Sequence, residues 1–414
     1  MNILSLLIRL LFSAVVYFLP DLMLHIALKK AWGRMQLRWY WRINILLFVL
    51  IGISTFVMRD SALWLQRLQL FFLGLFVALL FAKVVAAFIL FVEYLVRLFI
   101  SIATRRRRQR SHPDASLMIS RRQFIAKGAI LTGLLPFTGM LYGMFKGRFR
   151  YTLHTVEIPI ANLPAAFDGF TITQLSDLHI GSFEKSTHDE LEDMVRSVNA
   201  LQSDALFFTG DIVNSRADEM DDWYDVFRQF QAKYKLSVLG NHDYGDYVNW
   251  ADAAARERNL DAVKAIHGKL GFQLLLNERT VLEKDGQQLH IIGIENWGQG
   301  DFPKLGDLDK AAAGLQRSDC MVLLSHDPSF WEAFVIPSAL HPELTLSGHT
   351  HGFQMGIETP AFRFSPSQWI YKQWAGLYTE GEQHIYVNRG LGTVGYPGRL
   401  GIWPELTKIT LRKA

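Results

Sequence analysis

The first 150 residues alternate long apolar runs with short polar ones, and most of the runs lack a polar face. Ile3 to Leu19 is almost wholly apolar apart from Arg9, and Ile43 to Met58 apart from Asn44. Leu68 to Phe99 is broken chiefly by Lys83, Glu93 and Arg97, and Phe124 to Phe145 by Lys127. Such runs approach or exceed the ~20 residues that cross a bilayer as helix, and a helix without a polar face does not suit the surface of a soluble core. The pattern predicts three membrane spans within residues 1–104 and a fourth over 124–147. The third run, at 1.5 Å per residue, makes a helix of ~48 Å, read as one tilted or protruding span because no Pro or Gly cluster near Lys83 offers a turn.

From Tyr151 the pattern shortens. Phe170 to Leu175, Ala205 to Phe208, Leu236 to Leu239, Leu289 to Ile294, Met321 to Leu324, Leu344 to Leu346 and Ile385 to Val387 read as strands. Thr187 to Leu201, Asp221 to Ala232 and Trp250 to His267 carry helical periodicity. Residues 148–414 therefore read as an α/β domain without repeats or low-complexity segments.

Composition sharpens this division. At 414 residues the chain is too long for one small module. Its formal net charge of +4 conceals two unlike regions: residues 1–150 hold 21 Lys and Arg against 4 Asp and Glu, and the remainder 22 against 35. An acidic second part argues against nucleic-acid binding, since it repels polyanions. The single cysteine, Cys320, excludes an intrachain disulfide framework and a cysteine-rich zinc site; it lies in an apolar run and reads as a buried strand thiol.

Lys and Arg also set the expected topology. The first loop carries Lys29, Lys30, Arg34, Arg38 and Arg42, the second only Arg59 and Arg67, and the third Arg105 to Arg108, Arg110, Arg121 and Arg122. Loops one and three are expected in the cytoplasm, which places the domain after the fourth span outside it. Residues 105–123 read as a basic cytoplasmic loop and topology anchor that also attracts anionic lipid. Within it, Ser120-Arg121-Arg122-Gln123-Phe124-Ile125-Ala126-Lys127 resembles a twin-arginine export signal, although such signals begin a protein and this one follows three spans.

Chemistry gathers after the strand-like runs of the second part. Asp177 and His179 follow the first, Gly210-Asp211 the second, Gly240-Asn241-His242-Asp243 the third, Ser325-His326-Asp327 the fifth and Gly348-His349-Thr350-His351 the sixth. Ligand sites of α/β sheets collect outside the carboxyl ends of strands, so five distant segments are expected to converge on one edge. Asp, His and Asn supply the oxygen and imidazole donors that suit divalent metals. Strand alternation is expected to aim Asp-x-His and His-x-His pairs to one side. Singly each motif is weak, and Gly-Asp after a strand is often a plain turn.

In this order the motifs resemble the calcineurin-like metallophosphoesterase superfamily, specifically its membrane-anchored bacterial branch, over about Leu153 to Arg412. The resemblance implies a four-layer α/β/β/α sandwich preceded by an all-α transmembrane region. It implies two divalent metal ions, with Mn, Fe or Zn favoured. Asp177, His179 and His351 match the ligands of the first metal, Asp211 the bridging carboxylate, and Asn241, His326 and His349 the ligands of the second. His242 matches the non-ligand histidine near the scissile phosphate, with Asp243 as its orienting partner. Attack by a metal-bridging hydroxide on phosphorus is the implied reaction. The branch often carries a second glycine where Phe353 stands between Gly352 and Gln354, which bears on pocket width. Arg389, in Asn388-Arg389-Gly390-Leu391-Gly392, reads either as a phosphate contact or as a structural ion pair.

The expected protein is thus a multi-pass enzyme of the bacterial inner membrane with an extracytoplasmic catalytic domain, acting on a lipid-linked phosphate or pyrophosphate ester. Its expected partners are that phosphoester and the bilayer, without nucleic acid. Alternatives are a hydrolase like the UDP-2,3-diacylglucosamine pyrophosphatases of lipid A synthesis, a nucleotidase or nuclease, and a non-catalytic receptor of the same fold. The expected topology disfavours the first, because nucleotide-linked intermediates are cytoplasmic.

Overall fold

The computed structural model describes residues 3–31, 34–57, 63–104, 115–300 and 302–414. The chain forms two compact units, Met1–Met144 and Phe145–Ala414. The first contains helices α1 (Ile3–Ala31), α2 (Arg34–Val57), α3 (Leu63–Thr104) and α4 (Ala115–Phe145). Among the described residues, Trp64–Ala103 and Phe124–Phe145 are long and apolar enough to cross a membrane, and Leu11–Ile26 is apolar over a shorter length. Arg34, Arg38 and Arg42 occupy the first turns of α2 and shorten its apolar part. The long third run is one uninterrupted helix of 42 residues. Residues 105–114 and the side chains of 115–123 lie outside the described residues, and with them the basic loop and the Ser120 to Gln123 portion of the twin-arginine-like spelling.

Lys83, the charge inside that third run, is buried against a partner. Its ammonium lies 2.9 Å from the Asp21 carboxylate of α1 and 3.5 Å from the centre of the Tyr17 ring. Tyr40 of α2 donates to the same carboxylate, and Tyr17 donates to Asn44 Oδ1 at 3.1 Å. An ionisable side chain amid apolar helices demands such partners.

The second unit contains β1 (Thr152–Ile160), β2 (Thr171–Leu175), α5 (His188–Ala200), β3 (Ala205–Phe208), α6 (Tyr224–Phe227), β4 (Tyr234–Ser237), α7 (Ala253–Lys269), β5 (Gln273–Leu274), β6 (Glu278–Lys284) and β7 (Gln287–Gly293). Then follow α8 (Leu308–Ala311), β8 (Met321–Leu324), β9 (Leu344–Ser347), β10 (Ile357–Thr359), β11 (Phe362–Phe364), β12 (Gly376–Glu380), β13 (Gln383–Val387) and β14 (Glu405–Lys413). Two six-stranded mixed sheets run β1-β14-β2-β3-β4-β5 and β12-β13-β9-β8-β7-β6, and β10 and β11 form a separate hairpin.

The sheets pack face to face, and alternation within single strands explains how. Ala205 and Phe207 of β3 meet Val322 and Leu324 of β8 and Leu344 and Leu346 of β9 in the central core. Leu206 and Phe208 turn the other way, toward Leu191, Met194 and Val198 of α5 and Val263 and Ile266 of α7. Met321 and Leu323 face Leu308 and Ala311 of α8 and Trp331. The result is the α/β/β/α layering, and strands covered on both faces read as continuous apolar runs. The helix expected over Asp221 to Ala232 contracts to α6. Around it the chain runs in tight turns, Trp223 to Met220 and Gln229 to Val226, whose three-residue spacing satisfies the same apolar periodicity.

Candidate metal centre

Five strands of both sheets end at one edge. β2 delivers Asp177 and His179, β3 Asp211, β4 Asn241 to Asp243, β8 His326, and β9 His349 and His351. Two glycines let the segments close on each other: a Cβ on Gly348 would collide with Ser176 and the Asp177 carboxylate, and one on Gly240 with Asp211. The pairs Asp177/His179 and His349/His351 lie beyond their strands, so strand alternation does not aim them. Asp177, His179, Asp211, His349 and His351 instead have φ of 52°, 46°, 60°, 72° and 51°, left-handed backbone that L-residues adopt at a cost of about 1–3 kcal/mol each. The turns that bend the donors inward replace the expected pleat.

The donor atoms form two adjoining groups, and a third that overlaps both joins His242 to His179 and Asp211. Asp177, His179 and His351 each offer a ligand atom within 4.8 Å of the others, and so do Asp211, His326 and His349. His179 Nε2 lies 3.0 Å from His351 Nε2, and His351 Nε2 lies 3.3 Å from Asp177 Oδ1. In the second group His326 Nε2 is 3.3 Å from His349 Nδ1, which is 2.8 Å from Asn241 Oδ1. One atom joins the groups: Asp211 Oδ2 is 3.5 Å from His179 Nε2 and 3.2 Å from His326 Nε2. All seven residues that the sequence singled out meet here.

Outer contacts aim these donors. His326 Nδ1 bonds to the Thr209 carbonyl at 2.7 Å and His179 Nδ1 to Asn214 Oδ1 at 3.1 Å, leaving both Nε2 atoms to the cluster. Asn241 donates its amide to the Tyr247 hydroxyl at 2.7 Å, which turns its oxygen inward. Buried Arg399 lies with Nη2 3.2 Å from His351 Nδ1, and the Tyr371 hydroxyl is 2.7 Å from His349 Nε2. Burial holds the His179, His349 and His351 imidazoles below their ordinary range. Burial also works against charge on Asp211, yet the surrounding imidazoles keep its carboxyl well below the carboxylate range. Burial opposes charge on His326 as well, yet the Asp211 carboxylate pushes its pKa up to about 10, and a buried carboxylate oxygen ringed by imidazoles fits divalent cations.

His242 stands beside the first group, its ring centroid 4.7 Å from that of His179. Its Nδ1 is 2.7 Å from the Asn214 carbonyl, and the Tyr247 ring stacks on it with centroids 4.1 Å apart. Asp243 is therefore not its orienting partner. The Asp243 carboxylate instead accepts the backbone N–H groups of Asp211, Ile212, Val213 and Gly240, which turn toward it where the two loops meet. Arg389 is the structural ion pair: it is buried between Glu405 and Glu358. Asn214, Tyr247, Tyr371 and Arg399 carry no motif of their own, although Asn214 lies three residues past Asp211 and Tyr247 four past Asp243.

The metallophosphoesterase YkuE of Bacillus subtilis is 31% identical to this chain over 310 residues, covering 71% of the chain and 98% of the relative. The chain belongs to the calcineurin-like metallophosphoesterase family. The family model described as Calcineurin-like phosphoesterase matches residues 170–353 of this phosphoesterase. The model described as Probable Calcineurin-like phosphoesterase, transmembrane domain matches residues 5–148. A zebrafish (Danio rerio) transmembrane protein with metallophosphoesterase domain is 27% identical over 384 residues, 90% of this chain and 81% of that protein. The phosphodiesterase YaeI of Escherichia coli is 26% identical over 298 residues, 71% of this chain and all of that protein. This metallophosphoesterase thus carries a transmembrane domain ahead of its catalytic unit, and its family implies divalent metal ions.

Proposed function

We propose that Asp177, His179 and His351 hold one divalent metal, Asn241, His326 and His349 a second, and Asp211 both, and that the enzyme hydrolyses a lipid-borne phosphate or pyrophosphate ester. The observation that carries the assignment is the meeting of seven oxygen and nitrogen donors from five strand ends, with Asp211 Oδ2 between the two groups. A bound pair of divalent ions supplies charge neutralisation at phosphoryl oxygens and lowers the pKa of a nucleophilic water. The donors favour Mn, Fe or Zn.

The chain's own residues supply the rest. The Asn214 carbonyl keeps a proton on His242 Nδ1, so Nε2 is the atom presented to substrate. As imidazolium it stabilises charge on the phosphoryl group and hands a proton to the leaving oxygen. Tyr247, stacked on this ring and bonded to Asn241, holds both in register.

Supporting a lipid-borne substrate is the membrane unit fused to the site. The excess of Lys and Arg in loops one and three supports a multi-pass protein of the bacterial inner membrane with its site outside the cytoplasm. Purified protein in detergent, assayed with an aryl phosphate and separate additions of Mn, Zn, Fe and Mg, tests the chemistry. Asp211→Asn and Asn241→Ala are expected to abolish hydrolysis, and Asp211→Ala with full metal content and retained activity would overturn the assignment. Alkaline phosphatase fused after Ala414 is expected to be active in cells; an inactive fusion reverses the topology and restores a nucleotide-linked lipid.

A further inference from the structure

The hairpin of β10 and β11 is patterned in reverse for an element facing water. Ile357 pairs with Phe364 and Thr359 with Phe362, so these four share one face and Glu358 and Arg363 the other. On the charged face Glu358 is half-buried and pairs with buried Arg389, while Arg363, itself exposed, donates back to the Ala375 carbonyl. The apolar face turns out, leaving Ile357 54% and Phe362 56% exposed. Trp369, 74% exposed, packs its ring edge-on against Phe364 with centroids 5.7 Å apart, and Ile370 beside it is 65% exposed. Ser365 donates to the Gly352 carbonyl at 2.7 Å and so ties in the turn that carries exposed Phe353. Single exposed apolar side chains are ordinary; five large ones close together, with both hairpin charges engaged by the protein, mark an interaction surface.

The surface borders the metal centre. Phe353 stands two residues past His351, and Ile370 precedes Tyr371, whose hydroxyl touches His349. Phe353 is held at φ 57°, a left-handed conformation that a bulky residue adopts only under strain. That strain holds an aromatic ring in solvent, where packing within the protein does not account for it.

We propose that Phe353, Ile357, Phe362, Trp369 and Ile370 dock into the interfacial layer of the lipid bilayer and present the metal centre to its substrate at the membrane surface. The proposal rests on the lipid-borne substrate read above. Trp concentrates at membrane interfaces, and interfacial elements that present Trp, Phe and Leu on an apolar face sink ~5–10 Å into the headgroup and acyl boundary. The bilayer is also the apolar phase within reach: α4 ends at Phe145 and β1 starts at Thr152, and the six residues between them extend to at most roughly 20 Å.

The sole cysteine, Cys320, is buried, so single surface cysteines can be labelled in the full chain. Phe362→Cys and Trp369→Cys, each carrying a nitroxide, would be placed in nanodiscs of phosphatidylethanolamine and phosphatidylglycerol, with Asp285→Cys at the β6–β7 turn as comparison. Oxygen is expected to relax the labels at 362 and 369 at least threefold more than a water-soluble nickel chelate, with the order inverted at 285. The measurement needs no turnover. Loss of hydrolysis in every metal condition would count against the phosphoesterase substrate reading and leave the docking intact. Nickel access at both positions of an active protein overturns the docking alone, and labels shielded from both reagents overturn it in favour of a protein partner or a second copy.

Discussion

The Asp243 carboxylate accepts the backbone N–H of Asp211 at 2.9 Å, and the same carboxylate accepts that of Gly240 at 2.8 Å. A residue from the β4 loop thereby fixes the β3 loop that carries the shared carboxylate.

Asp243 and its neighbour His242 consequently have separable roles. Asp243→Ala frees four backbone amides around Asp211 and is expected to weaken metal binding ~10–100-fold, as loss of outer contacts does. His242→Ala is expected to retain metal while turnover falls ~10²–10⁴-fold. Elemental analysis beside turnover decides; equal metal loss in both variants contradicts the division.

His267 of α7 makes the folded state sensitive to acid. It is fully buried, neither ring nitrogen has a hydrogen-bond partner among the described residues, and burial pushes its pKa down to about 4. The unfolded chain binds its proton near pH 6.5 while the folded one refuses it, so the stability present at neutral pH declines as pH falls from 6.5 toward 4, by roughly 3 kcal/mol in all. The thermal midpoint of His267→Leu in detergent is expected to vary less between pH 7 and pH 5 than that of the parent. Parallel curves would show that another group controls the acid limb.

Asp21 and Lys83 are a test of coupling inside the membrane unit. Removing one partner leaves the other's charge buried without its counter-ion, at a cost of up to about 3–5 kcal/mol, whereas apolar replacement of both is closer to neutral, with the Tyr40 hydroxyl losing this acceptor. Asp21→Leu and Lys83→Met are each expected to lower the thermal midpoint in detergent, and the double variant to recover most of the loss. Additive losses would mean the two side chains act independently.

The unit Phe145–Ala414 contains every residue of the metal centre and its own two-sheet core. At this size a chain buries roughly three-quarters of its surface on folding. The fragment is expected to be monodisperse, to bind metal and to hydrolyse a small aryl phosphate. An insoluble or metal-free fragment would show that the membrane unit is needed for the fold.

What the sequence determined by itself was the division into an apolar helical part and an α/β part, several central strands and the seven donors. Strands covered on both faces have to be continuous apolar runs, as Met321–Leu324 is, and donors that serve one edge have to stand where those runs end. Tertiary structure decided the rest. The partner of His242 is a backbone carbonyl, which any residue carries, so no motif could distinguish Asn214 from Asp243. Strand β14, with Lys408 and Arg412 in it, takes its place between β1 and β2 only through pairing with distant residues. The hairpin shows the limit most plainly: alternation states that Ile357 and Thr359 share a face, but not which face the protein covers. That choice was made by Arg389, which draws Glu358 inward and leaves the apolar side to solvent.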